Sequence, residues 1–284
     1  MASRGIWHFM SARTRRGLAL SWSALFVLSM LLQYFSFAVA SPVAAYVGPA
    51  GGTSTLFELD GNAVDNSPAG RPDDWDKVAA NTDTADSSIF LNDGFGANDD
   101  IFTGGHSKDG EPISGWEWKL SSPQDKDDIE NAFAAAYTGT DGHTYVYFGL
   151  DRYQTSGDAT AGFWFLKSGV AKVADGSFTG AHVDGDILVV LDFSNGGAVA
   201  SSQVYRWSGS GLVKDGSAGG LCTATTVQSS CAIANTAEAV APWNYDDKAA
   251  DGAVNPFPAN ALFEGGIDLT ALDLDTGCFS TFIA

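Results

Sequence analysis

Between Asp125 and Leu166 the chain changes its hydrophobic period. Ile129, Phe133 and Tyr137 recur at a spacing of four, which predicts a short helix, while Tyr145 and Tyr147, then Phe163 and Phe165, alternate at period two, which predicts strands. Ser122-Pro123-Gln124-Asp125 offers that helix a start, with Ser122 as N-cap, Pro123 at the first helical position and an acid at the third. Its end is expected between Tyr137 and Gly139. The two aromatic strands, joined by a polar loop, read as a central hairpin.

The remaining pattern is also strand-like. Leu56 to Leu59, Ser88 to Leu91, Ile101-Phe102, Trp116 to Leu120 and Gln203 to Trp207 are short candidates bounded by Gly, Asn, Asp and Ser turns, and Gly265 to Leu269 is a last short strand or a helix lead-in. Asp186 to Phe193 is a nearly continuous apolar run, which predicts a central strand buried on both faces. Strands at this spacing predict a mainly β fold, an antiparallel β-sandwich or jelly roll with one or two short helices.

The N-terminus stands apart. Arg4, Arg13, Arg15 and Arg16 precede an uncharged apolar run that ends in Ala38-Val39-Ala40, so residues 1–40 read as a secretory signal peptide. Thr14 to Leu18 also fits a twin-arginine signal loosely, which leaves the Sec and twin-arginine routes both open. The run is long enough to span a bilayer if uncleaved, roughly 20 residues, and that is the one membrane connection the sequence suggests. Residues 41–54 read as a linker and 55–284 as one β-sandwich domain of a secreted or cell-surface protein. The apolar end Cys278 to Ala284 has no cap or polar tail, and the expectation is a domain that continues beyond it.

Composition narrows the partners. The chain carries 15 basic and 34 acidic residues, and four of the basic ones lie in the leader. So acidic a surface repels nucleic acid and anionic lipid, and it suits divalent cations or solubility in salt. Cys222 and Cys231 bracket a short Gly/Ser/Thr-rich loop and are expected to pair, a crosslink worth about 2 to 3 kcal/mol in the chain-entropy model. Cys278 is left over, and its expected partner lies downstream.

Two residue types carry the candidate chemistry. Acid-rich turns at Asp60-Gly61-Asn62, Asp93 with Asn98 to Asp100, Asp125 to Asp128, and Asp184-Gly185-Asp186 offer hard oxygens of the kind calcium takes, although none matches an EF-hand loop. Asp60, Asn62, Asp184 and Asp186 are the candidate metal ligands, with calcium as a structural ion. Six tryptophans follow the leader, and an exposed indole face stacks on a sugar ring, so Trp116, Trp118 and Trp164 are candidate ligand residues together with Asp151 and Arg152. His106, His143 and His182 show no paired metal spacing, and no Gly-x-Ser-x-Gly elbow occurs. No catalytic residue is expected.

Phe57-Glu58-Leu59-Asp60-Gly61-Asn62, Asp73-Asp74-Trp75 and the block Asp125 to Phe165 resemble an N-terminal domain of large exported actinobacterial proteins. That domain precedes prealbumin-like or Ig-like surface repeats, so the resemblance implies further domains in the same chain. More distantly, the opening Asp-Gly strand, the acid-Trp pair and Tyr147-Phe148 with Asp151 are similar to DOMON and family-9 carbohydrate-binding sandwiches, which bind haem or sugars. The Met and His axial ligands of the haem binders have no counterpart here. The resulting expectation is a non-catalytic binding or display module with an extracellular or cell-wall polysaccharide as the leading ligand. A structural spacer is the alternative, and a polysaccharide-active enzyme a third.

Overall fold

The computed structural model describes residues 56–66, 73–94, 98–103, 110–194, 198–215, 220–222, 229–249, 252–254, 256–274 and 277–284. The expected leader and linker lie outside the described residues.

Strands are numbered in chain order. The larger sheet has the order β1-β4-β5-β16-β13-β12. Its strands are β1 (Ser87–Asn92), β4 (Ile129–Thr138), β5 (Thr144–Arg152), β16 (Leu262–Asp268), β13 (Ser230–Ala234) and β12 (Gly220–Leu221). The smaller sheet has the order β11-β10-β9-β6-β17. It consists of β11 (Gly211–Lys214), β10 (Ala198–Ser208), β9 (Ile187–Ser194), β6 (Ala159–Leu166) and β17 (Thr281–Ile283). Three two-stranded ribbons complete the set: β2 (Asp99–Thr103) with β3 (Glu117–Ser121), β7 (Ala171–Lys172) with β8 (Phe178–Thr179), and β14 (Tyr245–Asp247) with β15 (Gly252–Val254). Among the described residues every strand pair is antiparallel except the two-residue pairing of β12 with β13. The fold is an antiparallel β-sandwich, as the strand spacing predicts.

Alternation along each strand sorts the side chains into three apolar layers. Ala134, Val146, Phe148 and Leu150 of the larger sheet meet Phe163, Phe165, Ile187, Val189 and Leu191 of the smaller one between the sheets. The outer face of the larger sheet presents Phe133, Tyr137, Tyr145 and Tyr147 to a cover built from Phe57, Trp75, Tyr245 and Phe257. On the outer face of the smaller sheet Trp164, Leu188 and Trp207 pack under Ile113, Trp116 and Val170. Burying one such side chain stabilises by about 1.5 to 3 kcal/mol, so both sheets are held from both faces. β9 lies between β6 and β10, and both of its faces are buried, as the apolar run Asp186 to Phe193 predicts.

Two expectations are corrected. The stretch Ile129 to Thr138 is strand β4, and the helix shrinks to a single 3-10 turn at Asp125–Asp127 whose N-cap, Gln124, makes no side-chain cap bond. A spacing of four lies on one face of a strand as well as of a helix, so Phe133 and Tyr137 fit either. The alanines between them decide for the strand through packing: Ala134 lies opposite Phe148 and Ala135 opposite Tyr147, small residues filling beside large cross-strand partners. The expected hairpin is also absent. β5 pairs with β4 and β16 while β6 pairs with β9 and β17, so residues 153–158 cross from one sheet to the other. Period two reveals which way a side chain faces but not which strand lies alongside.

Smaller differences follow from the same logic. Leu56 to Leu59 contributes isolated bridges, that of Phe57 to Asp73 among them, rather than a strand. Trp75 opens a short helix, Trp75–Ala80, whose N-cap Asp74 accepts the Trp75 N–H. Cys222 and Cys231 form the expected disulfide with a Cα–Cα distance of 4.8 Å, and Cys278 is free and exposed.

Candidate functional site

A groove of about 310 Å³ opens where the β2–β3 and β7–β8 ribbons meet the edge strand β17. The ribbons are fastened to each other through Trp118: its main-chain N–H donates to the Gly176 carbonyl at 2.8 Å and its indole N–H to the Val173 carbonyl at 2.9 Å. Gly176 has φ +91°, and a Cβ there would stand 3.1 Å from the Trp118 carbonyl, so the turn that receives Trp118 needs a glycine. Phe102 stacks on Phe178 with ring centroids 5.3 Å apart, and 37% of its surface remains exposed. Trp118 is half-buried, with Lys172 Nζ 5.3 Å from its ring centroid. Lys172 also forms an ion pair with Asp100, and Phe282 of β17 closes the floor.

The charges on this rim are tuned by desolvation. Burial first, and the Asp93 charge second, push the Asp99 carboxyl up to about 6 against the pull of Lys172. Burial raises Asp93 as well. Asp99 itself is buried behind the groove, which offers apolar ring faces beside the Lys172 cation and the Asp93 and Asp100 carboxyl groups as hydrogen-bond acceptors.

Of the residues predicted from sequence, three fall in this region. Trp118 lines the groove, and Trp116 is buried behind it, edge-on to both Phe102 and Phe178 at 5.6 and 5.7 Å. Trp164 lies a layer deeper, 5.9 Å from Trp116. Phe102 and Phe178, not singled out from sequence, supply the stacked pair; their signal was only that of two isolated aromatics in short ribbons.

Asp151 and Arg152 lie elsewhere and are buried. Asp151 accepts from the Asn131 main chain at 3.0 Å, from the Asn131 amide at 2.9 and 3.1 Å, and from the Trp243 indole at 2.7 Å. Arg152 donates to the Asn260 carbonyl at 2.9 Å and lays its guanidinium 4.1 Å from the Phe193 ring centroid.

The two candidate metal loops differ. Asp184 accepts the Gly209 N–H at 2.6 Å, and the buried Asp186 accepts from the Lys167 and Val183 main chain and from His182 Nδ1 at 3.0 Å. Both carboxylates therefore tie turns. His182 itself sits among Trp116, Trp164 and Trp207, stacked 4.0 Å from the last. In the other loop Asp60 accepts from the Asn62 main chain at 3.0 Å and from its amide at 2.6 Å, and the Gly61 N–H reaches Glu264 Oε1 at 2.6 Å. Glu264, in turn, accepts the Trp75 indole N–H at 2.8 Å. No group of three His, Cys, Asp or Glu side chains among the described residues is already arranged around a single metal position.

Compared with known proteins, the chain matches no family model, no curated protein and no solved structure.

Proposed function

We propose that this protein is an exported, non-catalytic binding module whose Phe102–Trp118 groove takes a sugar ring of an extracellular or cell-wall polysaccharide. The observation that carries the reading is the pairing of two partly exposed aromatic faces with the Asp100–Lys172 ion pair in one cleft, the combination that gives a pyranose both stacking and hydrogen bonds. The acid excess argues against nucleic acid, and the leader accounts for export to the surface or medium.

A structural spacer is the second reading. It is favoured by the burial of Trp75, Trp116, Trp164 and Trp207, which leaves Trp118 as the tryptophan of the groove.

Retention on insoluble polysaccharides and cell-wall material separates the two. Saturable binding of the purified protein is expected on at least one material. Trp118→Ala and Phe102→Ala should each weaken it about fivefold, the equivalent of about 1 kcal/mol of stacking. Val213→Ala, on the exposed strand β11, should not. Absence of retention would favour the spacer, and equal retention of all three variants would contradict the groove as the binding site.

A further inference from the structure

The sandwich is open along one side. β1 is an edge strand of the larger sheet and β17 of the smaller, and a cavity of about 530 Å³ lies between them. Phe90 packs on the outer layer of the larger sheet, so strand alternation turns its neighbours Ile89 and Leu91 the other way, toward the opening. They keep 40% and 39% of their surface exposed, which shows that the space in front of them is unfilled.

Alanine makes that space. The β4 side chains that face the smaller sheet here are Ala134, opposite Ile89, and Ala136, opposite Ser87. Across from them stand Phe165 and Phe282, with ring centroids 5.4 Å apart. Elsewhere between the sheets Phe, Ile, Leu and Val fill the gap, and a cavity of a few hundred cubic ångströms is the size that small-molecule sites occupy.

The cavity and the Phe102–Trp118 groove are neighbours on the same strands. Thr281 and Phe282 line both, and β1 borders both, with Ser87 to Ile89 on the cavity and Leu91 on the groove. From Ser87 to Asp93 the chain advances roughly 20 Å. Along that path the lining changes from the hydroxyl residues Thr138 and Thr144, through carbon, to the ring faces and the Asp100–Lys172 ion pair.

We propose that groove and cavity together take an amphiphile, a glycan bearing an alkyl or acyl chain, with its sugar on Phe102 and Trp118 and its chain between β1 and β17. The inference rests on the glycan reading of the groove and names the class of glycan. Ile89, Ala136, Val146 and Phe165 offer a methylene chain the carbon surface it needs, whereas a peptide laid into the same space would bury N–H and C=O groups against carbon. A second copy of so acidic a chain would meet its own charge.

A series of methyl, hexyl, octyl and decyl β-D-glucosides, each below its micelle concentration, tests this. Affinity should rise about twofold to fourfold per added methylene and level off as the chain reaches Thr138 and Thr144. Cys278 is free, exposed and part of the cavity lining, and its alkylation should slow in decyl glucoside but not in methyl glucoside. Ala136→Leu, which fills the cavity, and Ile89→Asn, a change at an exposed position, should each flatten the series. Trp118→Ala should weaken every member about fivefold and keep the slope, and Val213→Ala should change nothing. A flat series in the parent protein, with polysaccharide retention intact, would overturn the inference and leave the glycan reading standing. A slope that survives both cavity variants would overturn it too, and a slope with no member weakened by Trp118→Ala would show the chain bound without the sugar and contradict joint occupancy.

Discussion

Glu130 and Asp151 give the molecule a pH response that a solvated acid could not. Burial, followed by the charges of Asp151, Asp246 and Asp128, pushes the Glu130 carboxyl up to about 8. Burial pushes Asp151 up to about 7 against the opposing hydrogen bonds of Trp243 and Asn131. Between the ordinary carboxylate range and these values the folded chain holds protons that the unfolded chain has lost. Stability from these groups is therefore greatest in acid and falls as the pH rises from about 4 to about 8. Urea midpoints measured across that range should decline, and Glu130→Gln, which removes one of the two groups, should flatten the decline; identical slopes would contradict the assignment. At this scale the sequence was partly legible. Trp118 and the Asp60 loop stand out as an aromatic in a strand and acids in a turn. Asp74 and Glu264 do not, because nothing in the local pattern at position 264 announces a partner at position 61 or 75.

Among the elements, the packing of the larger sheet depends on a residue that local propensity disfavours. Gly149 lies in mid-strand in β5, where a Cβ would collide with the Phe133 ring and stand 2.5 Å from the Phe263 carbonyl on the neighbouring strand β16. One obstacle is a packed ring and the other is backbone, so neither can yield cheaply. Gly149→Ala should therefore destabilise by about 1 to 3 kcal/mol, although alanine is the better residue on backbone entropy alone. A chemical-denaturation midpoint at or above that of the parent would refute this. The same interplay limited what could be read in advance. Strands β1, β2, β3, β9 and β10 were visible because their alternation, or unbroken apolarity, reflects burial directly. β4 was hidden by alanines and a spacing of four that serve a helix equally well, and the pairing of β5 with β16 depends on contacts more than a hundred residues apart that periodicity does not encode.

At the level of the whole molecule, two sheets and three apolar layers form the frame that carries the ribbons. The groove lies where two ribbons and an edge strand meet, with its aromatic wall backed by Trp116 and Trp164 and thus positioned by the core rather than by loops alone. An acidic chain with 34 carboxylic residues presents such a groove to uncharged or cationic polymers more readily than to polyanions. The most direct test of the central claim, that this groove is where the ligand is held, is oxidative footprinting of the protein with and without a saccharide it retains. The account predicts protection of Trp118 and Phe102 with no change at Trp243, which is half-buried in a different layer. Full reactivity of Trp118 in the bound state, or protection centred on Trp243, would contradict it.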